Sequence, residues 1–195
     1  RIKPRSTEAI MGRISYSLAA LFVCALATTA GAQDARQAVV SYSYLRNGGT
    51  GMHGWKADGG VDFVGVSAFG DGGWAALGLD VSVSNHTGRA DGPGASDVRR
   101  TSVLAGLRLT GDGLFPGYLR AGLGMSQRAF DEAGADGVRV RRSRLSPVVQ
   151  AGGGVWLPLG RHVVLRPVQV DYQLFPTDPR ARHGVQVSTG IGIGW

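Results

Sequence analysis

Hydrophobic and polar residues alternate with period two through eight segments of the chain, which is the pattern of β-strands carrying one apolar and one polar face. The cleanest lies at residues 184–195, where Val185, Val187, Thr189, Ile191, Ile193 and Trp195 oppose Gln186, Ser188, Gly190, Gly192 and Gly194. Residues 74–84 set Ala75, Leu77, Leu79, Val81 and Val83 against Gly78, Asp80, Ser82 and Ser84. Residues 101–109 set Val103, Ala105, Leu107 and Leu109 against Ser102, Gly106 and Arg108. Residues 37–46, 117–129, 145–157 and 163–175 behave alike, and 61–69 is weaker because its apolar residues change parity. The Arg166-Pro167 step lacks a ladder donor and predicts a bulge.

The links between segments alternate in length. Short ones at 70–73, 110–116 and 158–162 separate long ones at 47–60, 85–100, 130–144 and 176–183. That regularity predicts an all-β fold, an eight-stranded antiparallel up-and-down transmembrane β-barrel, with tight turns at one end and long loops at the other.

Alternation alone leaves open whether the apolar face points in or out. The opposite face carries Gly, Ser and Gln with the charged Asp80, Arg108, Arg120, Arg128 and Asp171, and beyond Ala32 there is one Lys, Lys56, and one Glu, Glu132, both in expected loops. A soluble barrel is expected to carry many Lys and Glu on its outer wall. Small residues with opposed charges instead suit the narrow interior of an eight-stranded barrel. Aromatics are expected in two girdles: Phe69, Trp74, Phe115, Tyr118, Trp156 and Trp195 at the turn end, and Tyr42, Tyr44, Phe130, Tyr172 and Phe175 at the loop end. Trp74 and Trp156 have inward parity and are candidates for the barrel floor.

Residues 11–32 have the layout of a cleaved signal peptide: Arg13, the apolar run LAALFVCALA, and Ala30-Gly31-Ala32 as a small-residue cleavage site. Residues 1–10 read as leader upstream of Met11, and 33–195 as the barrel. Removing 1–32 takes away four cations and one carboxylate, so the formal charge falls from +7 to +4 over the 163 residues that remain. It also removes Cys24, the single cysteine, so neither a disulfide nor a thiolate site is expected. No later apolar run approaches the ~20 residues of a membrane helix.

These features resemble the small outer-membrane β-barrel family, the class of the outer membrane protein A barrel domain and outer membrane protein X. The stretch 170–195 (VDYQLFPTDPRARHGVQVSTGIGIGW) is similar to the last hairpin of such proteins. The resemblance implies a bacterial outer-membrane location. It also implies that the barrel-assembly machinery reads Ser188, Gly190, Ile193 and Trp195 as a C-terminal signal.

Candidate chemistry is sparse. Asp80, Arg108, Arg120, Arg128 and Asp171 are expected to form either a paired plug or an ion path through the lumen, pairing being favoured because an unpaired buried charge is costly. The basic run Arg139, Arg141, Arg142 and Arg144, with Arg46, Lys56, Arg89, Arg99, Arg100, Arg180 and Arg182, is expected to rim the loops, either merely solvated or contacting lipopolysaccharide phosphates. A lipid-modifying enzyme would need a serine, a base and an acid in reach. His53, His86 and His183 fall in expected loops, with His86 near Ser82, Ser84 and Asp91. The Ser84-Asn85-His86 order reverses that of the lipid A deacylases. No metal, cofactor, nucleic acid or catalytic residue is expected, and the barrel is expected to be monomeric. A small porin-like channel is the alternative.

Overall fold

The computed structural model describes residues 36–69, 73–89, 97–111, 117–133, 139–179 and 181–195; the expected leader and signal segment, residues 1–32, lie outside them. The strands are β1 (Arg36–Asn47), β2 (Thr50–Phe69), β3 (Gly73–Arg89), β4 (Asp97–Gly111), β5 (Gly117–Ala133), β6 (Arg139–Val155), β7 (Leu157–Pro158), β8 (Val163–Leu174) and β9 (His183–Gly194). Each pairs antiparallel with its sequence neighbours from β1 to β6, and β1 also pairs with β9. Both β6 and β7 pair with β8, so the two-residue β7 continues the line of β6 past Trp156. The sheet closes into a barrel of eight strand positions.

Strand parity sorts the side chains as the alternation predicts. Leu119 and Leu123 are 65% and 66% exposed on the outer wall, with Val40, Leu79, Val103, Leu107, Val170, Val187, Ile191 and Ile193 also outward. Ser41, Ser43, Ser82, Ser84, Ser102, Gln150, Gln169, Gln173 and Gln186 are buried within. The apolar face points out and the polar face in, the inverse of a soluble barrel. Trp195 sits beside the start of β1, where its backbone exchanges hydrogen bonds with Arg36 at 2.9 and 3.0 Å.

The expected bulge lies between Arg166 and Gln169 on β8. It reverses parity: Gln169, Asp171 and Gln173 point inward on odd numbers, yet below the bulge the inward residue is Arg166.

Of the four long links expected, that between β8 and β9 keeps its length, at residues 175–182, and the other three are shorter. β1 and β2 pair as far as Asn47↔Thr50, leaving Gly48 and Gly49 as a two-residue turn with φ of 57° and 85°. Positive φ at both positions suits a hairpin turn, and glycine adopts it without strain. Residues 50–60 are therefore strand, and Lys56 is not in a loop. Likewise β3 runs to Arg89, β4 starts at Asp97, β5 runs to Ala133 and β6 starts at Arg139. Backbone pairing needs no apolar side chains, so the hairpins continue past the segments that hydrophobic alternation marks.

The aromatic girdles are also thinner than expected. Trp195, Tyr42 and Tyr172 are exposed, but Tyr118, Trp156 and Phe175 are buried. The side chains of Phe69 and Trp74, and all of Phe115, lie outside the described residues.

Candidate functional site in the barrel lumen

The lumen is filled in tiers. At its floor Tyr118 and Trp156 pack with ring centroids 4.5 Å apart, together with Val39. Arg108 lies over Trp156 and donates to Asp62 Oδ1 through Nη2 at 2.7 Å and Nε at 3.1 Å, and to Gln37 Oε1 at 3.1 Å. Asp62 also accepts from Thr110. Tyr118 donates its hydroxyl to Gln169 at 2.6 Å.

The middle tier joins six charged side chains from four strands. Arg120 on β5 donates through Nε and Nη2 to the two oxygens of Asp171 on β8, at 2.9 and 3.0 Å. Its Nη1 reaches Asp58 on β2 at 2.8 Å and Asp80 on β3 at 3.3 Å. Lys56 Nζ lies 2.7 Å from Asp171 and 3.3 Å from Asp58. Arg166 pairs with the other oxygen of Asp58. Lys56, Arg120 and Arg166 thus face Asp58, Asp80 and Asp171, three cations against three carboxylates. Lys56 is 1% exposed and Asp171 is fully buried. Burial of this kind carries a large desolvation cost, offset by pairing and hydrogen bonds among the six.

Gly152 on β6 stands directly against Asp171, its register partner. A Cβ there would lie 2.7 Å from the Asp171 Cα, so only glycine lets the cluster and the β6–β8 seam coexist.

Above lies a neutral tier. His86 Nε2 is 2.9 Å from Ser43 Oγ, which also accepts from Gln186 at 2.7 Å, and Gln186 in turn accepts from Gln173 at 2.6 Å.

The mouth is closed by the β8–β9 connection. Phe175, Asp178 and Ala181 are buried, and Arg100 stacks on the Phe175 ring at 4.0 Å while donating to Asp178 at 2.9 Å and to Asn47 at 3.3 Å. Arg128, only partly buried, reaches Asp178 at 3.4 Å. Leu104 and Val148 pack on Phe175 from below.

The five charged lumen residues marked from the sequence are therefore split. Asp80, Arg120 and Asp171 meet in the middle tier, Arg108 belongs to the floor and Arg128 to the mouth. Lys56, Asp58, Asp62, Arg100, Arg166 and Asp178 were not among them, and Lys56 and Arg100, expected on the outer rim, are buried inside instead. Of the basic run, Arg141, Arg142 and Arg144 are exposed, and the Arg139 side chain lies outside the described residues. On the last strand Ser188 is buried, Gly190 half-buried, and Ile193 and Trp195 exposed.

The three histidines expected in loops, His53, His86 and His183, lie on strands instead. His86 is wholly buried on β3, while His53 on β2 and His183 on β9 sit outside, each beside a tyrosine hydroxyl, Tyr42 and Tyr172 respectively. Asp91 lies outside the described residues. Among the described residues no group of three or more His, Cys, Asp and Glu could hold a metal ion.

No family model and no curated protein sequence matches the chain. Solved structures do. The fold is that of the small outer-membrane β-barrels. Neisserial surface protein A is similar over 86% of this chain and 100% of its own, at 15% identity and a TM-score of 0.57. The attachment invasion locus protein of Yersinia pestis, solved with the heparin analogue sucrose octasulfate, is similar over 83% and 98%, at 15% identity and 0.55. A major outer membrane protein from Thermus thermophilus is similar over 83% and 99%, at 11% identity and 0.55. At these identities the likeness to this barrel is one of fold.

Proposed function

We propose that the chain is a monomeric bacterial outer-membrane barrel that acts as a structural and surface-contact protein and has a lumen closed to ions. The outward apolar wall supports residence in lipid. The observation that carries the closed lumen is the neutral cluster of Lys56, Asp58, Asp80, Arg120, Arg166 and Asp171, which spans the barrel at mid-height. Beside it, the cavity lined by Asp80, Ser82, Arg120 and Gln150 measures about 10 Å³, room for one water at most. Burial of His86 beside Ser43, with a glutamine as the next partner, supports a role without catalysis, because no lipid headgroup reaches a side chain sealed in the lumen. The C-terminal residues Ser188, Gly190, Ile193 and Trp195 serve in this reading as the address for the barrel-assembly machinery.

A second contact surface is favoured by an outer cleft of about 630 Å³ lined by Arg89, Arg99 and Arg141 with Thr87, Asp97 and Asp131. It lies at the loop ends of β3 to β6. Its three guanidiniums against two carboxylates suit the phosphates of lipopolysaccharide.

Planar-bilayer recording tests the main reading. The folded wild type is expected to show no ion-selective conductance; steady selective currents would establish the porin-like alternative instead.

A further inference from the structure

β6 is paired unequally on its two sides. Along β5 it is matched residue for residue, from Ala133↔Arg139 to Gly117↔Val155. Along β8 it is matched only from Val149↔Leu174 to Gly154↔Gln169. The reason lies in the mouth. After Leu174 the chain turns inward so that Phe175 and Asp178 can meet Arg100, and β8 leaves the sheet there. Among the described residues no strand pairs with residues 139–148 on that side. Ten residues at about 3.3 Å each make a ledge roughly 33 Å long, with backbone N–H and C=O groups along it.

The ledge is basic. Residues 139–148 (RVRRSRLSPV) contain four arginines and no acid, and Arg141, Arg142 and Arg144 are exposed. Arg141 and Arg142 also hold contacts within the chain, so the recognition argued here rests on the backbone edge and the local positive field. A second copy of the same edge would bring two clusters of four arginines into one narrow seam, and their mutual repulsion opposes that pairing. Pro147 lacks an N–H and weakens pairing at the lower end. Those features oppose self-association and leave acidic partners favoured.

We propose that the unpaired edge of β6, residues 139–148, takes up an extended acidic polypeptide segment as an added strand. Main-chain hydrogen bonds supply the attachment and the arginines the selectivity. The inference rests on the proposed orientation, with this end of the barrel outside the cell, but not on whether the lumen conducts.

The test uses the full chain folded in detergent and a fluorescein-labelled ten-residue peptide alternating Glu with Val and Thr. Fluorescence anisotropy should show saturable binding. Of two versions of the peptide, N-methylated on one or the other alternate set of backbone nitrogens, one should bind about ten-fold more weakly, because its ladder donors are gone. The Arg142→Glu/Arg144→Glu protein should also bind about ten-fold more weakly while keeping its heat-modifiable gel mobility. Equal binding of both methylated peptides and the parent would mean charge adsorption alone and overturn the proposal, as would an absence of binding or a dimer of the chain on this edge. Silent bilayer recordings are unaffected by either result, so the closed-lumen reading fails or survives separately.

Discussion

Arg120 and Asp171 meet in a two-pronged pair, Nε to Oδ1 at 2.9 Å and Nη2 to Oδ2 at 3.0 Å, although 51 residues separate them in the chain. The remaining Arg120 nitrogen, Nη1, bridges to Asp58 and Asp80, so this one guanidinium ties together all three carboxylates of the middle tier.

Arg120→Ala would leave those three carboxylates facing only Lys56 and Arg166 in a buried setting. The expected cost is about 3–5 kcal/mol, the range for breaking a buried ion pair from one side. A lower temperature for the heat-modifiable mobility shift reports it. Arg120→Ala/Asp171→Asn restores charge balance and should recover part of the loss; a double variant no better than Arg120→Ala would show that the cluster does not depend on that balance.

On the closed-lumen proposal, the mouth and the middle tier act as obstructions in series. Arg100→Ala removes both the stacking on Phe175 and the bond to Asp178, and should speed proteolysis of the β8–β9 connection. Bilayer conductance should stay silent in that variant because Arg120 still blocks the centre. Currents appearing only in Arg100→Ala/Arg120→Ala would demonstrate the series arrangement, and currents in Arg100→Ala alone would show that the mouth is the only seal.

Gly152→Val places a branched side chain where even a Cβ meets the Asp171 Cα at 2.7 Å. The β6–β8 seam, six residue pairs long, should fail to close. Gel mobility then stays at the unfolded position after refolding into detergent. Ala151→Val, on the exposed face of the same strand, serves as the control and should fold.

Trp195→Ser removes an exposed aromatic from the outer wall without touching the lumen. Spontaneous refolding in detergent should change little, whereas insertion into vesicles bearing the assembly machinery should slow. Equal slowing in both settings would assign Trp195 to packing at the membrane interface rather than to recognition.

Among the charged residues, those readable from the sequence sit inside well-formed alternation. Asp80, Arg120 and Asp171 each oppose clearly apolar neighbours, so parity sends them inward. Lys56 and Asp58 were hidden because their strand-mates Ala57 and Gly59 carry little hydrophobic signal in a glycine-rich stretch that reads as a loop. Arg166 was hidden differently: the bulge beside Pro167 was visible, but its reversal of parity follows only from the register with β9. Arg100 and Asp178 meet only because the β8–β9 connection folds into the mouth.

Local alternation, with the composition of its two faces, was enough to specify the all-β class, the eight strand positions and the sorting of apolar residues outward, since each depends on a period of two within one segment. How far the hairpins extend, which charges meet and, among the described residues, which strand keeps an open edge are set when the strands pair and close. Those outcomes depend on register between segments far apart in the chain, as with Lys56 and Asp171, 115 residues apart. A one-residue slip reverses the face of every side chain on a strand, and local alternation carries no record of which partner lies opposite.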